Sequence, residues 1–311
     1  MQTIQVTQYG GPEVLQLSQA ADLPAPGPGQ VLVNLRAIGV NPVETYLRQG
    51  ANGYTVKFPW TPGSDGAGTV SGSGQRVYVA GSLTGTYAAQ CLCDASQVFP
   101  LPDFVSFSQG ACLGVPAATA WRALHDIGAA KAGETVLIHG ASGGVGLAAV
   151  QIAKAAGLRV IGTASTEAGR RLVLEAGADA ALDHADSNHL EEAAKIAGGG
   201  IPLVLEMLAN MNLGADLKWL AKGGRVVVIG SRGEVTVNPR DLMVRDASIR
   251  GMSLANLLPQ DKARIHAGIG ELLASGKLQP VVALELPLSL APQAHEAVMR
   301  PGAKGNVVLI P

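Results

Sequence analysis

Cysteine is scarce: the 311-residue chain has Cys91, Cys93 and Cys112 and no Cys-x-x-Cys pair. That argues against a disulfide framework and against a zinc site built from cysteines, and leaves the thiols as small core residues. Charge is also sparse, with 15% charged residues and a formal net charge of −1. Without a basic stripe there is no electrostatic footprint for nucleic acid, which makes it an unexpected partner. No apolar run reaches the roughly 18 residues of a membrane span. The N-terminus also lacks the charged, apolar and cleavage-site order of a secretory signal, so a soluble, cytoplasmic protein is expected. What remains is 47% hydrophobic residues and 40 glycines, enough core for two domains joined by many tight turns.

The most informative stretch is TVLIHGASGGVGLAAVQIAKAA, residues 135–156. Residues 135–139 form an apolar, β-branched run of the kind buried on both faces of a sheet. Gly140, Gly143, Gly144 and Gly146 follow, and from Val145 the apolar positions recur at helical spacing. A strand, a glycine turn and a helix aim free N–H groups and the positive end of a helix dipole at a pyrophosphate. Ala141, Gly143 and Gly146 stand at the three positions of the G-x-G-x-x-G fingerprint, with Ala replacing the first Gly. Ala141, Ser142, Gly143, Gly144, Val145 and Gly146 are therefore candidate cofactor contacts.

A second strand, residues 159–163, resumes after Gly157, a helix C-cap candidate. Sites for NAD usually carry an acid about 20 residues past the fingerprint, to hold the ribose 2′-hydroxyl. Here that region reads Thr163-Ala164-Ser165-Thr166, with Arg170 and Arg171 beyond. Ser165, Thr166 and the two guanidinium groups suit a 2′-phosphate and point to NADPH. The alternative is a polar loop leading into a helix whose arginines are only solvated.

The first hundred residues are punctuated by Gly and Pro, with alternating runs at 4–8, 31–37, 68–70 and 75–79. They predict a small, mainly antiparallel β domain. A helix is expected over 117–127. Strands at 135–139, 159–163, 180–183, 203–206, 225–230 and 248–253 then alternate with helical segments. The fold class is α/β, a doubly wound Rossmann sheet with a second, antiparallel β domain. Another helix is expected over 260–276, and the NVVLIP end predicts a strand returning to the first domain. The division reads 1–116, 117–257 and 258–311. Open α/β sheets bind ligands at strand C-termini, which adds Leu208, Ala209, Gly230, Ser231 and Arg232 as candidates. An ordinary polar turn is the other reading of Ser231 and Arg232.

Six segments run in order along nearly the whole chain: YGGPEVL at 9–15, GVNPVETYLRQG at 39–50, PGSDGAG at 62–68, HGASGGVGLAA at 139–149, EMLANMNL at 206–213 and GSRGEVTVNPRD at 230–241. Through them the chain resembles the zinc-free quinone oxidoreductases of the medium-chain dehydrogenase/reductase superfamily, of zeta-crystallin type. The resemblance implies an N-terminal GroES-like domain, a Rossmann domain, NADPH as cofactor and quinones as acceptors. One departure stands out. Only Ser71-Gly72-Ser73-Gly74 precedes Gln75, where the family carries a longer connection ending in Gly-Asp-Arg-Val, so a shortened surface turn is expected.

Zinc-dependent members of the superfamily place a Cys near the position of Asn41 and a His-Glu pair where this chain has Ser64-Asp65. Asn and Ser are poor ligands for a catalytic zinc, so no metal is expected and alcohol dehydrogenation is disfavoured. A quinone is already electron-poor. The protein needs only to align the two rings, exclude water and stabilise a developing oxyanion. The resemblance assigns Asn41 to orienting the nicotinamide and Tyr46 to contacting the cofactor or the quinone carbonyl. It also places His184 near the adenosine, Asn306 (and more weakly Lys304) in the C-terminal return, and residues 115–119 at the helix end facing the nicotinamide. Residues 249–254 read as an edge strand, which in this family pairs two subunits, so a homodimer is expected. An NADPH-dependent reductase of activated alkenes (2-alkenals or enoyl thioesters) is the enzymatic alternative; a crystallin-like or RNA-binding protein is the non-enzymatic one.

Overall fold

The computed structural model describes residues 1–51 and 53–311. In chain order the elements begin with β1 (Gln2–Gln5), β2 (Gln16–Gln19), β3 (Gln30–Val40), α1 (Pro42–Gln49), β4 (Asp65–Val70), β5 (Arg76–Ala80), β6 (Gln90–Asp94), β7 (Val98–Pro100) and α2 (Phe107–Gly110). They continue with α3 (Ala118–Trp121), β8 (Thr135–Ile138), α4 (Gly144–Ala155), β9 (Arg159–Thr163), α5 (Glu167–Glu175), β10 (Ala180–Leu182), α6 (His189–Ile196) and β11 (Ile201–Glu206). Last come α7 (Ala209–Trp219), β12 (Leu220–Val228), α8 (Pro239–Met243), β13 (Ser248–Gly251), α9 (Pro259–Ala274), β14 (Val282–Pro287), α10 (Ala291–Met299) and β15 (Asn306–Ile310). Two compact units result: residues 1–116 with 280–301 and 305–311, and residues 117–279 with 302–304. Helix α9, assigned from sequence to the C-terminal return, thus belongs to the second unit.

The first unit is built on a sheet of order β14-β15-β3-β4-β5-β7, mostly antiparallel, with β6 also paired to β3. Strand β3 is long enough to change neighbours along its length. Its start pairs with β6, its middle with β4 across an irregularity between Leu35 and Ala37, and its end with β15. Val33, Leu35 and Ile38 of β3 meet Val77, Val79, Val307 and Leu309 in one apolar core with Ile4 and Tyr87. The shortened connection is a hairpin turn: Gly74 donates to the Val70 carbonyl and Val70 to the Gln75 carbonyl, both at 2.9 Å. Strands β2 and β6 escaped the sequence reading. Strand β2 is the polar QLSQ, almost wholly outside the core, and β6 is only QCLCD.

The second unit holds a six-stranded sheet of order β10-β9-β8-β11-β12-β13, every pair parallel. Counted from β8, that is the doubly wound order 3-2-1-4-5-6, whose direction reverses between β8 and β11. All of β8 is buried, as expected of a central parallel strand covered on both faces. Leu203, Val204, Leu205, Val226 and Val227 beside it have no exposed surface. Side chains of this size contribute about 1.5–3 kcal/mol each on burial. Strand β12 begins at Leu220, earlier than expected, with a register shift opposite Ile201–Leu203. Strand β13 is the sheet edge and ends at Gly251.

Candidate dinucleotide site and the Asn41–Tyr46 region

In the second unit the glycine turn leaves the C-terminal end of β8 beside the point where strand order reverses. Gly140 has φ +57, a conformation costly for other residues, and it folds the chain back from the strand. Gly146 faces the turn from α4. A Cβ there would lie 2.5 Å from the Gly140 carbonyl oxygen and 2.6 Å from the Ala141 Cα. Ala141 is buried and donates to the Thr163 carbonyl at 2.8 Å, tying the turn to β9. Gly143 caps α4 with no side-chain hydrogen bond, so the first N–H groups of a 12-residue helix keep their dipole uncompensated. A Cβ at Gly143 would touch nothing closer than 3.5 Å, so the outer face of the turn is open to a phosphate where the inner face is closed. A dinucleotide pyrophosphate fits this cradle.

Along β9 the next loop carries Ser165 and Thr166, both half-buried. Thr166 caps α5 by accepting from the Gly169 N–H at 3.0 Å. Arg170 reaches back to Asp183 Oδ2 at 2.8 Å and to the Ala164 carbonyl at 3.3 Å. Arg171 is exposed and paired with Glu167 at 3.2 Å. Both guanidinium groups therefore stand beside the loop with carboxylate partners, and a 2′-phosphate would share Arg170 with Asp183. His184 follows β10, exposed, with burial of the ring edge and nearby His139 holding it below the ordinary imidazole range. Beyond β11, Leu208 and Ala209 are tied to the end of β12, where Ala209 donates to the Gly230 carbonyl at 2.9 Å. Ser231 donates to the Gly233 carbonyl at 2.8 Å, and the Arg232 N–H donates to Asn210 Oδ1 at 2.9 Å. These loops all leave the C-terminal ends of parallel strands.

Beneath them lies a polar cluster that the sequence reading did not single out. His139, Thr163, Glu206 and Asp216 are all buried. His139 Nε2 lies 2.9 Å from Asp216 Oδ1 and 3.6 Å from Glu206 Oε2. Glu206 Oε1 accepts from the Leu208 N–H at 2.5 Å and from Asn212 Nδ2 at 3.1 Å. Burial pushes both carboxyls up and holds the His139 imidazole down. The only legible signal was Glu206 closing the apolar run of β11.

In the first unit Asn41 stands at the N-cap of α1, with Pro42 in the first turn. Glu44 closes a capping box by accepting from the Asn41 N–H at 2.5 Å. Asn41 Nδ2 donates to Asp65 Oδ2 at 3.0 Å, and the same oxygen accepts from the Val115 N–H at 2.9 Å. The amide of Asn41 is thus held by a carboxylate. Tyr46, on the next turn, is half-buried and stacks on Tyr54 with ring centroids 6.4 Å apart and planes 22° from parallel. Asn306 opens β15, where its side-chain amide donates to the Val281 carbonyl at 3.0 Å.

A chain of buried polar groups backs α1. Arg48 donates to His295 Nδ1 (3.3 Å), His295 Nε2 to Tyr87 (3.0 Å), and the Tyr87 hydroxyl to Glu44 Oε2 (3.4 Å). Burial, with repulsion from Asp65, lifts Glu44 from 4.5 to about 8, and burial beside Arg48 lowers His295 to about 3. Glu44, Tyr87 and His295 were not singled out from sequence, and Asp65 was noted only as standing where zinc-dependent relatives place a His-Glu pair.

A doubly wound nucleotide-binding unit with an open glycine turn and a second unit built on a mainly antiparallel sheet are the two parts of the medium-chain dehydrogenase/reductase class. Comparisons agree: the family models "Zinc-binding dehydrogenase" and "Alcohol dehydrogenase GroES-like domain" match residues 144–267 and 27–103. The chain is 42% identical to human "Quinone oxidoreductase" over 321 positions, covering 100% of this chain and 98% of that protein. Its structure superposes on the Escherichia coli quinone oxidoreductase complexed with NADPH with a TM-score of 0.90 at 30% identity, each chain fully covered. A structure described as an NAD-dependent alcohol dehydrogenase gives a TM-score of 0.92 at 28% identity, again over both full chains. The chain belongs to the quinone oxidoreductase family of the medium-chain dehydrogenases/reductases.

The raised Glu44 carboxyl has a consequence for stability. The folded state keeps this proton up to about pH 8, whereas the unfolded chain releases it near 4.5. Stability from this group therefore falls as pH rises from 4.5 to 8 and levels off above. Glu44→Gln removes that slope, by roughly 1.4 kcal/mol per pKa unit. Urea midpoints at pH 5 and pH 9 should show wild type losing more than the variant on the alkaline side; parallel losses would show Glu44 to be ionised in the fold.

Proposed function

We infer that this chain is an NADPH:quinone oxidoreductase working without a metal. Full-length identity to a quinone oxidoreductase carries the reading, together with the open glycine turn after His139. Where zinc-dependent relatives place their ligands, Asn41 is spent on Asp65 and Ser64 precedes a buried carboxylate, a donor set that does not suit zinc. No helix among the described residues is long and apolar enough to cross a membrane; we assign the protein to the cytoplasm.

Bound NADPH supplies the reducing equivalents. The chain's own groups bind, orient and exclude water. The N–H groups at the start of α4 hold the pyrophosphate, with Ser142, Gly143, Gly144 and Val145 around it. Ser165, Thr166 and Arg170 take the 2′-phosphate, with Arg171 adding charge; His184 lies by the adenosine, and Leu208, Ala209, Gly230, Ser231 and Arg232 by the ribose and carboxamide. Asn41, its amide fixed by Asp65, orients the nicotinamide. Tyr46 offers a hydroxyl to the quinone oxygen and, stacked on Tyr54, a flat face to its ring. Asn306 has its amide on Val281, so any part it takes in cofactor binding falls to its carbonyl oxygen. The unpaired outer side of β13, flanked in sequence by exposed Met243, Val244 and Leu258, makes the two-fold contact of a homodimer.

Purified protein should oxidise NADPH with 1,4-benzoquinone and 9,10-phenanthrenequinone; turnover of a 2-alkenal alone would replace the quinone with an activated alkene. Arg170→Ala should weaken NADPH by about tenfold and NADH little, since a charge-assisted hydrogen bond is worth about 1.5–3 kcal/mol. Equal losses for both cofactors would remove the arginine from the phosphate site, and Arg171→Ala should show the same bias more weakly. Light scattering at micromolar concentration should give twice the 31.7 kDa chain mass; a monomer there would refute the β13 contact.

A further inference from the structure

The clearest unexplained feature is chemical: two carboxyl groups and an imidazole share a space with almost no exposure, directly under the strand ends that carry the cofactor loops. Asp216 Oδ1 takes the hydrogen of His139 Nε2 at 2.9 Å. That leaves Nδ1 to accept from the Thr163 hydroxyl at 3.4 Å, while Thr163 Oγ1 accepts from the Gly140 N–H at 3.3 Å. On the other side, Glu206 Oε1 is taken up by Leu208 and Asn212. Glu206 Oε2 and Asp216 Oδ2 are left, both buried and without a hydrogen-bond partner among the described residues.

We propose that His139, Glu206 and Asp216 form a brace held together by one proton shared between the two carboxyls, and that this brace positions the glycine turn and the Leu208 loop for NADPH. The proposal rests on the glycine turn being the NADPH site. Two ionised carboxylates beside a neutral imidazole would leave two uncompensated charges in a dry site, a cost that one bound proton halves while supplying the missing donor. A metal ion fits worse. The 2.9 Å between His139 Nε2 and Asp216 Oδ1 is a hydrogen bond, shorter than the about 3.3 Å between two ligands of one tetrahedral zinc. Burial lifts both carboxyls well above the ordinary carboxylate range, so the shared proton is held towards neutral pH and leaves as pH rises. Its loss sets two like charges against each other where the end of β11 meets α7, and adds negative charge near a phosphate site. Both effects weaken NADPH binding.

These are positioning residues, and the brace reaches the cofactor only through two backbone N–H groups, those of Gly140 and Leu208. Other titratable groups nearby are His184, with Asp183 and Arg170 beside it, and His189, whose ring centroid lies 6.1 Å from that of His139. Histidines are ordinarily neutral above pH 7, so the alkaline range isolates the carboxyl pair.

The test is NADPH affinity from pH 6.5 to 9, by fluorescence titration of wild type, Glu206→Gln and Asp216→Asn. Wild type should weaken by about fivefold, a usual size for coupling between sites. The variants should hold a nearly constant affinity, and the ligand's own titration is common to all three. Identical slopes would overturn the brace, as would a stoichiometric metal whose chelation abolishes binding. Wild type that binds no NADPH at any pH would instead sink the cofactor site itself. Should the variants not fold, infrared spectra in a Glu44→Gln background carry the test. A protonated-carboxyl band should disappear above pH 7, and saturating NADPH should move its midpoint to higher pH. A midpoint that NADPH leaves in place overturns the proposal.

Discussion

Gly146 lets the first turn of α4 lie against the end of β8, where any Cβ would stand 2.5 Å from the Gly140 carbonyl oxygen. From that contact the rest of the nucleotide-binding unit follows. With α4 drawn in, its uncapped N–H groups point out of the turn and its dipole ends at the place a pyrophosphate would occupy. Ala141 sits buried under the turn and bonds across to β9, so the turn is stiffened from below as well as from the side. Small residues at 141, 143, 144 and 146 are the condition for this approach, and the apolar strand beneath is the platform it needs.

Both units keep ionisable groups in their interiors, and they solve the cost in the same way. In the first, Arg48, His295 and Tyr87 form a directional chain of donors ending on Glu44, which also accepts from the Asn41 N–H, so one network fixes the N-terminal end of the helix that carries Tyr46. In the second, Thr163, His139 and Asp216 link the glycine turn to α7. Glu44, His139, Thr163 and Glu206 sit where an element begins or ends, where backbone N–H groups are free to be bonded. Burial raises the carboxyls, while the N–H and O–H donors around them pull the other way, and burial wins.

The parts legible in sequence were those whose signal is local. The β8–turn–α4 unit and the alternation of strands and helices after it were readable because a buried parallel strand is a continuous apolar run and a tight turn needs glycine. The loops proposed to hold the cofactor were named from the rule that open sheets bind ligands at strand C-termini. Strands β2 and β6 were not legible: QLSQ and QCLCD owe their conformation to the strands beside them. Helix α9 was readable as a helix, but its allegiance to the second unit was not.

By itself the amino-acid order determined the class of fold, the glycine turn, the shortened β4–β5 connection and the poor zinc ligands at 41 and 64, since each depends on residues within a few positions of one another. Tertiary structure alone decided what the ionisable groups do. Tyr87 and His295 are 208 residues apart in the chain yet 3.0 Å apart in space. Whether Glu44 or Glu206 is a solvated carboxylate or a buried acid is set by what surrounds it in three dimensions, because desolvation and hydrogen bonding act through space and leave no spacing to read along the chain.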